Sequence, residues 1–376
     1  MDNQMLLQTS PYVFIKYVQS NKYFYSLLNY ENMTFDHRRF NLLKQCKNPI
    51  KFQKINEDAD YIRQAIDDTL LVETKKLWEY TNIRFVGVEL CSGCNWSCIY
   101  CPVHSKRKPY NVMGMDLFQE IVDKIVEHKS VQYISINSYN EPTVDPYFEQ
   151  RIKYLSGKRL KLMLNTNGTL LNKSRLTLLR ESGLTVELSF NLPSVEKDIF
   201  VKMTGSKKYE QTMENIQCAI DMGFNIDIQV QGLGRARIQA IELINQRFGS
   251  QLGKKFEPPV TIDRAGAVQG EYAQNIYNHK LAGCPLIINW LYIGVEGNCF
   301  LCCQDYYHEC VIANIQDAPI DKIVTSSVAK KYRRLVYGAD PAGEHILCRR
   351  CHVMREGQMI QRINRGIRAE NLAKLS

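Results

Sequence analysis

The sequence predicts an α/β fold because strand-like and helical patterns alternate through its middle. Six apolar runs are typical of strands, at residues 83–90, 132–137, 160–165, 185–190, 225–230 and 259–263. Helical periodicity lies between them, at 115–128, 147–156, 172–182, 209–222 and 236–247. A helix follows each of the first five strands, so the strands are expected to be parallel. Functional side chains are then expected just after each strand.

Length and composition indicate a globular protein outside the membrane. The chain has 376 residues, of which 45% are hydrophobic and 23% charged. No apolar run reaches the roughly 20 residues of a membrane-spanning helix, and the N-terminus lacks a basic-then-apolar signal pattern. We therefore expect a cytoplasmic protein with no membrane partner. Thirteen cysteines in a reducing compartment indicate metal binding rather than disulfides.

The net charge of +9 raises nucleic acid as an alternative partner. Much of the basic excess follows Arg349, but no aromatic-interleaved motif accompanies it. A solvated basic helix or a rim for anionic substrates explains the charge better. The alternative hypothesis from a different class of protein is a structural zinc protein that binds nucleic acid. This hypothesis leaves the alternation of strands and helices unexplained.

Residues 1–80 are predicted to form a separate small α+β domain. Strands are expected at 11–18 and 22–30, with a turn between Asn29 and Thr34. One helix is expected from His37 to near Asn48-Pro49, and another over 58–71. This order weakly resembles the winged-helix-like domains that bind leader peptides. A scaffold role is the open alternative.

The most informative stretch follows the first barrel strand and reads V-E-L-C-S-G-C-N-W-S-C-I-Y-C-P. It places Cys94, Cys98 and Cys101 in a C-x3-C-x2-C pattern. Three thiolates can hold three irons of a cubane cluster and leave the fourth open to a small molecule. A zinc site would need a fourth ligand, for which His104 is the candidate. Cys91 is interpreted as a small buried residue.

This pattern resembles the signature of radical S-adenosylmethionine (SAM) enzymes. The resemblance implies a partial (β/α)6 TIM-like barrel over residues 81–270, open on one side. It implies a catalytic [4Fe–4S] cluster on the three cysteines, with SAM as the cofactor that yields a 5′-deoxyadenosyl radical. Tyr100 would lie against the adenine. An electron donor such as flavodoxin or ferredoxin is the implied partner.

The resemblance also assigns side chains at the later strand ends. S-Y-N-E-P stands where the family has G-G-E-P, so Asn140 and Glu141 are assigned to the SAM amino group. Ser189 and Asn191 are assigned to the SAM ribose.

At three further strand ends the sequence allows more than one role for the polar residues. N-T-N-G at 165–168 is either a turn or a substrate contact. Gln229 and Gln231 share one face of the fifth strand and can reach SAM or substrate. Arg264 is expected to bind a carboxylate, phosphate or sugar hydroxyl of the substrate, with an ion pair to Asp263 as the alternative.

The C-terminal third carries a second cysteine set. Cys284 and Cys302 flank a predicted strand–turn–strand with its turn at Glu296-Gly297, and Cys348 and Cys351 form a later C-x2-C pair. By ligand count, four thiolates suit zinc or a fully ligated iron–sulfur cluster equally well.

The spacing resembles the twitch domain, a shortened SPASM domain that holds one auxiliary [4Fe–4S] cluster. It is similar to that of 2-deoxy-scyllo-inosamine dehydrogenase-type enzymes. The resemblance makes Cys284, Cys302, Cys348 and Cys351 metal ligands of a domain over 271–376. Cys303 is the alternative to Cys302.

These features predict a radical SAM oxidoreductase with two [4Fe–4S] clusters. Its radical takes a hydrogen atom from a small polar substrate of sugar or cyclitol type, and the auxiliary cluster takes an electron. The alternative is a maturase or epimerase acting on a ribosomal peptide. In an epimerase Cys310 would supply a hydrogen atom, and otherwise it is a buried structural thiol.

Overall fold

The computed structural model of the protein describes residues 4–18, 21–29, 31–105, 107–231, 234–253, 256, 264–268, 281 and 283–351. In chain order, the strands of this part are β1 Leu6–Thr9, β2 Val13–Val18, β3 Asn21–Ser26, β4 Asn32–Thr34, β5 Ile50–Lys51, β6 Leu71–Glu73, β7 Phe85–Val88, β8 Tyr133–Ser135, β9 Lys161–Thr166, β10 Val186–Asn191, β11 Ile226–Gln229, β12 Trp290–Ile293, β13 Asn298–Phe300 and β14 Val311–Asn314. The α-helices are α1 His37–Gln45, α2 Ala59–Asp67, α3 Pro102–Ser105, α4 Met115–Glu127, α5 Phe148–Leu155, α6 Lys173–Glu181, α7 Lys197–Thr204, α8 Tyr209–Asp221, α9 Gly234–Ile244, α10 Ser250–Leu252, α11 Leu286–Asn289, α12 Ile320–Val324, α13 Ser327–Val336 and α14 Leu347–Arg350.

The chain divides into two compact units. The first is drawn from Met1–Ile83, Ile276–Asn289 and Val324–Ser376. The second is drawn from Arg84–Asn275 and Trp290–Ile323. The cysteine loop and the ends of the parallel strands lie in the second unit.

The first unit contains two small antiparallel sheets, in the orders β5-β1-β6 and β2-β3-β4. The predicted hairpin is present as β2 and β3. The turn predicted between Asn29 and Thr34 is wrong in part, because Asn32–Thr34 pairs with β3 as a third strand. Met33 is buried between exposed neighbours, which is the alternation of a half-buried strand.

The two predicted helices of the first unit are both present and both shorter than expected. Asp36 caps α1 by accepting a hydrogen bond from Arg39, and Asp58 caps α2 in the same way. α1 ends at Gln45, before the Asn48-Pro49 pair. α2 ends at Asp67 rather than Leu71, because Leu71–Glu73 pairs with β1 as β6.

The second unit is built on one eight-stranded sheet in the order β11-β10-β9-β8-β7-β12-β13-β14. Neighbouring strands from β11 to β12 run parallel, and β13 and β14 run antiparallel. This mixed α/β fold with a central parallel sheet confirms the predicted fold class. The first five predicted strands correspond to β7–β11. The sixth, at 259–263, lies outside the described residues.

The helices between these strands follow the prediction, with two additions, the short α3 and α7. α4, α5, α6, α8 and α9 lie where helical periodicity placed them. α9 passes at Ile244 into a π-helical turn, Asn245–Gly249. The sequence reasoning missed α7, which follows β10 and ends at Gly205 in the left-handed conformation, with φ of 67°.

None of the described helices combines the length and the apolar character needed to cross a membrane.

Candidate active site

The cysteine loop follows β7 and is anchored along its length by α7 and by β9. The backbone N–H groups of Ser97 and Ile99 donate to carbonyls at the end of α7, over 2.9 and 3.1 Å. The buried indole of Trp96 donates to Thr169 Oγ1 over 2.9 Å and packs edge-on against Phe200 of α7. The missed helix therefore holds the loop in place.

The three thiols of the loop lie in a largely buried setting. Burial raises the pKa of all three, that of Cys94 to about 12, and neighbouring thiols raise those of Cys94 and Cys98 further. Cys94 Sγ accepts a hydrogen bond from Trp96 N over 3.4 Å. In such surroundings the thiols stay protonated unless a bound cation such as iron neutralises the charge of their thiolates. Three sulfur ligands placed close enough for their thiolates to repel one another fit an iron–sulfur cluster.

No group of three or more His, Cys, Asp and Glu side chains in the described part of the chain is arranged to hold a single metal ion. The side chain of His104, the fourth ligand of the zinc alternative, lies outside the described side chains. The assignment of the loop therefore rests on its spacing, its position after β7 and its burial.

Tyr100 and Asn191, predicted separately as SAM contacts, are brought together. Asn191 Nδ2, at the end of β10, donates to the Tyr100 hydroxyl over 3.2 Å. That hydroxyl also shares a hydrogen bond with the thiol of Cys98. The tyrosine is thus fixed between the cysteine loop and the end of the fourth parallel strand.

Glu141 is held by four hydrogen bonds from within the protein. Its Oε1 accepts from Thr143 N, Thr143 Oγ1 and Thr166 Oγ1 over 3.0, 2.6 and 2.7 Å, and its Oε2 accepts from Asn167 N over 2.6 Å. Its own N–H donates to the carbonyl of Gly93 in the cysteine loop. Glu141 therefore ties together three strand ends, two through its carboxylate and one through its backbone N–H, and the contact of the carboxylate with a SAM amino group stays a prediction.

Asn140 acts locally on the backbone of its own turn. Its Oδ1 accepts from Ser138 N over 2.8 Å, and its Nδ2 lies 4.0 Å from the sulfur of Cys91. Cys91 is buried, as expected. A role of Asn140 toward SAM stays a prediction.

Polar side chains cross the sheet face at β8–β11. Asn165 Nδ2 donates to Asn137 Oδ1 over 3.2 Å, and Gln229 Nε2 donates to Asn165 Oδ1 over 3.1 Å. Ser189 lies opposite Asn165 on the neighbouring strand, and its buried hydroxyl has no hydrogen-bond partner among the described residues. Asn165, Ser189 and Gln229 line a cavity of about 380 Å³, together with Glu187 and Asp227.

Arg264 occupies a strained backbone position beside the cysteines. Its φ is 52° and that of Ala265 is 51°, two successive left-handed conformations that residues with a Cβ rarely adopt. The guanidinium lies 5.5 Å from the ring centre of Tyr139. Burial raises the pKa of Cys101, and the charge of Arg264 opposes that shift. The predicted alternative partner, Asp263, lies outside the described residues.

The four predicted auxiliary ligands are divided between the two units. Cys284, Cys348 and Cys351 belong to the first unit and Cys302 to the second. Cys348 and Cys351 bracket one turn at α14, where a spacing of three residues puts both on one face. Cys303, the alternative to Cys302, receives a hydrogen bond from Gln304 Nε2 over 3.5 Å.

Three titratable residues near the cysteine loop were missed by the sequence reasoning. Glu89, Lys108 and His308 meet around one imidazole nitrogen, with Nζ of Lys108 and Oε2 of Glu89 each 3.5 Å from Nε2 of His308. Glu89 directly follows the first parallel strand, and this position was the available signal. Nothing in the pattern pointed to His308.

Two family models match the chain. The radical SAM superfamily model covers residues 88–239 and therefore the cysteine loop and the strand ends described above. The SPASM model, an iron–sulfur cluster-binding domain, covers residues 284–352. The chain therefore carries a radical SAM domain followed by an iron–sulfur cluster-binding domain. It is an enzyme of the class that uses SAM and iron–sulfur chemistry, as its cysteine spacing predicts.

Relatives of this radical SAM enzyme differ in what their names say they act on. The S-adenosyl-L-methionine-dependent 2-deoxy-scyllo-inosamine dehydrogenase of Niallia circulans is 23% identical, over 71% of this chain and 92% of its own. The mycofactocin maturase MftC of Mycobacterium tuberculosis is 24% identical, over 44% of this chain and 42% of its own. The match to the uncharacterized protein MJ0804 of Methanocaldococcus jannaschii also covers 42% of that protein. The chain thus spans less than half the length of several relatives.

Solved structures share the fold at low identity. BtrN in complex with AdoMet and 2-DOIA superimposes with a TM-score of 0.51 at 20% identity, over 72% of this chain and 93% of its own. Streptococcus suis SuiB bound to the precursor peptide SuiA superimposes with a TM-score of 0.53 at 12% identity, over 93% of this chain and 94% of its own. Both likenesses bear on the fold alone.

Proposed function

We propose that this radical SAM enzyme is a dehydrogenase that oxidises an alcohol group of a small polar molecule of sugar or cyclitol type. The observation that carries the proposal is the second cysteine set, which lies within a stretch that matches an iron–sulfur cluster-binding domain. Oxidation of an alcohol removes two electrons. A hydrogen-atom abstraction removes one, so the reaction needs an acceptor for the other, and a second cluster supplies it.

The proposed cofactor ligands follow the two cysteine sets. Cys94, Cys98 and Cys101 would hold the cluster that, with SAM, supplies the 5′-deoxyadenosyl radical. Cys284, Cys302, Cys348 and Cys351 would hold the auxiliary cluster, with Cys303 as the alternative to Cys302. In this assignment residues 81–270 form the barrel domain, 271–376 the auxiliary domain and 1–80 a separate domain. The reductant would be a flavodoxin or a ferredoxin.

The cavity over β9–β11 supports a small hydroxylated substrate. Its volume of about 380 Å³ is in the range of small-molecule sites. Its lining offers amide, hydroxyl and carboxylate groups, which suit hydroxyl hydrogen bonding from several directions. The buried Ser189 hydroxyl, with no partner among the described residues, is available to a ligand. Arg264 is proposed as a substrate-binding residue because its charge lies beside Cys101.

Iron and sulfide analysis after anaerobic reconstitution tests the two-cluster basis. We expect about eight irons in the wild type and about four in the Cys94/Cys98/Cys101→Ala variant. Cys218→Ala, on α8 and away from both sets, is the matched control and should leave the iron content unchanged. About four irons in the wild type and none in the triple variant would mean that the proposed electron acceptor is missing, and this result would contradict the dehydrogenase proposal.

The reaction itself is tested with 2-deoxy-scyllo-inosamine, the compound in the name of the Niallia circulans dehydrogenase that aligns over 71% of this chain. With SAM and dithionite, we expect ketone formation and transfer of deuterium from the oxidised carbon into 5′-deoxyadenosine. A panel of related cyclitols and sugars extends the test to the substrate class. SAM cleavage without oxidation of any member of the panel would contradict the proposal.

The second candidate is a peptide-modifying enzyme, and the first unit is what favours it. The likeness to SuiB extends over 93% of this chain, whereas that to BtrN extends over 72%. In the first unit β4 pairs with β3 alone, which leaves its other edge without a described strand partner, and such edges accept extended peptides. Asn32→Pro would block that edge while leaving the cysteine loop unchanged. Binding of SuiA or a pooled peptide library that is lost in Asn32→Pro would favour this candidate over the dehydrogenase.

A further inference from the structure

A buried acid, an imidazole and an ammonium group meet in the second unit, apart from the cysteine loop. Oε2 of Glu89 and Nζ of Lys108 each lie 3.5 Å from Nε2 of His308. The neutral imidazole has one such nitrogen, which either accepts from Lys108 or donates to Glu89. The hydrogen bond from Lys108 and the charge contact with Glu89 are therefore alternatives that differ by the position of one proton on the ring.

The fold holds His308 tightly in this position. Its φ is 55°, in the left-handed region, which is uncommon outside glycine although histidine enters it more often than most residues. The ring stacks on Phe300 at 4.2 Å between centroids. A Cβ on Gly294 would lie 2.9 Å from His308 Cε1, so the glycine makes room for the ring. Strain together with close packing indicates a placed side chain rather than an incidental neighbour.

The group extends from a buried end to a partly exposed end. The side chain of Glu89 is 2% exposed and that of His308 is 20% exposed. Glu89 is the first residue after β7, and its carboxylate accepts a hydrogen bond from the backbone N–H of Tyr139. Tyr139 and Tyr306 pack edge-on at 4.9 Å and lie against Cys94 and Cys101. One aromatic layer thus separates the buried carboxylate from the cysteine loop.

The charges around the ring bring the acid and the base closer in proton affinity. Burial raises the pKa of Glu89, against the opposing effects of Lys108 and of the Tyr139 N–H. Burial and the charge of Lys108 lower the pKa of His308 to about 4. The nearby Asp305 carboxylate is engaged by the N–H groups of Glu309 and Cys310. With the pKa of Glu89 above its usual value and that of His308 at about 4, the ring does not hold a proton more tightly than the carboxylate does.

We propose that Glu89 and His308 form the outlet for the proton that alcohol oxidation releases, with Lys108 setting the direction of its exit. This inference rests on the proposed dehydrogenase function. After hydrogen-atom abstraction, the substrate carbon radical loses its hydroxyl proton and one electron, and the C–O bond becomes a carbonyl. An auxiliary iron–sulfur cluster, held by the second cysteine set, would accept the electron. The proton passes to the Glu89 carboxylate, then to Nε2 of His308 and to water, and Lys108 favours its departure from the ring.

Two variants and one matched control test the outlet. Glu89→Gln keeps the shape of the acid but cannot take a proton. His308→Asn removes the base with a residue that tolerates positive φ. His128→Gln is the control, because His128 also faces a carboxylate, that of the exposed Asp321 at 3.0 Å. Each variant is first checked for wild-type iron content and circular dichroism.

Turnover is measured with 2-deoxy-scyllo-inosamine deuterated at the oxidised carbon. We expect both outlet variants to keep deuterium transfer into 5′-deoxyadenosine, while ketone per 5′-deoxyadenosine falls about tenfold or more. Added imidazole should restore the ratio in His308→Asn, which a purely structural defect would not show. An unchanged ratio in both variants overturns the outlet and leaves the dehydrogenase standing.

A titration that needs no turnover separates this inference from the proposed function. The ring nitrogens of His308 are followed by 15N NMR in the wild type, Glu89→Gln and Lys108→Met. We expect its pKa to rise in Lys108→Met, where a neighbouring cation is lost, and to fall in Glu89→Gln, where an anion is lost. Identical titrations in all three overturn the outlet even if no cyclitol is oxidised. Absence of cyclitol oxidation with the expected shifts overturns the dehydrogenase, and with it the source of the proton, while the electrostatic coupling of the three side chains stands.

Discussion

Replacing Glu141 by glutamine should destabilise the second unit by about 2–3 kcal/mol. The carboxylate accepts four hydrogen bonds, two from backbone N–H groups and two from threonine hydroxyls. The hydroxyls can rotate and accept from the new amide, but the N–H groups of Thr143 and Asn167 cannot. In either amide orientation one buried N–H loses its acceptor, at about 1–3 kcal/mol, and the remaining bonds lose their charge assistance. Glu141→Ala leaves all four donors unpartnered and should cost more.

Anaerobic calorimetry and hydrogen–deuterium exchange measure this loss. For a unit of 150–250 residues, 1 kcal/mol shifts Tm by about 2–4 °C, so Glu141→Gln should lower Tm by roughly 4–12 °C. Exchange should quicken most in peptides that contain Thr143 and Asn167. Glu214→Gln, an exposed glutamate on α8, is the matched control and should change neither.

The same variant separates a structural from a ligand-binding carboxylate. If Glu141 chiefly paired with the SAM ammonium group, Glu141→Gln would weaken SAM binding without lowering Tm. That result would refute the reasoning from its four internal hydrogen bonds. A lowered Tm with SAM binding reduced to a similar extent by Glu141→Gln and by Thr166→Val would support it.

Three further predictions follow from buried groups in the second unit. Arg151→Met should lower the free energy of unfolding by about 3–5 kcal/mol, because it leaves Asp145 charged and unpaired in a site where both side chains are 0% exposed. Arg175→Met, beside the partly exposed Glu149, should lower it by under about 1 kcal/mol. Equal losses of stability in calorimetry would contradict this. His308 stays neutral in the folded chain down to about pH 4, while the unfolded imidazole takes a proton below about pH 6.5. Stability should therefore fall by about 3 kcal/mol as pH drops through this range, and His308→Asn should remove that part of the slope in urea titrations. An unchanged slope would count against the burial of the ring. Gly168→Ala should lower the free energy of unfolding by about 2–3 kcal/mol, because φ at this position is 80° and the new Cβ would lie 2.8 Å from Phe190. Gly183→Ala, with φ of 71° and open space around the Cβ, should show only the loss that comes from the backbone strain. Equal melting temperatures of the two variants would contradict the clash.

The elements that the sequence predicts well are those whose own residues carry the signal. Strands β7–β11 are short apolar runs between turn residues, and the helices between them have clear apolar periodicity. β4 and β6 are only three residues long, and their strand character comes from partners elsewhere in the chain. α7 was missed because its pattern is short, although Gly205 in the left-handed conformation marks its end.

In the candidate site, too, features set by neighbouring residues in the sequence were predicted, and contacts between residues far apart in the sequence were not. The spacing of Cys94, Cys98 and Cys101 is local, so the loop was found directly. Tyr100 and Asn191 were each predicted from neighbouring motifs, but their mutual hydrogen bond depends on the order of strands in the sheet. Lys108 and His308 lie 200 residues apart, and only the return of the chain as β12–β14 brings them together.

The backbone after β8 accommodates the departure from the family pattern. A glycine is required where φ is positive or where a Cβ has no room. Neither Tyr139 nor Asn140, which stand where the family has two glycines, has positive φ. Asn140 stabilises the turn by accepting from Ser138 N, and Tyr139 fills space against Tyr306. The backbone makes the bonds that join this strand end to the buried acid and to the cysteine loop, from the Tyr139 N–H to Glu89 and from the Glu141 N–H to Gly93, and these bonds do not need the two side chains. What the side chains add is therefore the turn bond of Asn140 and the packing of Tyr139.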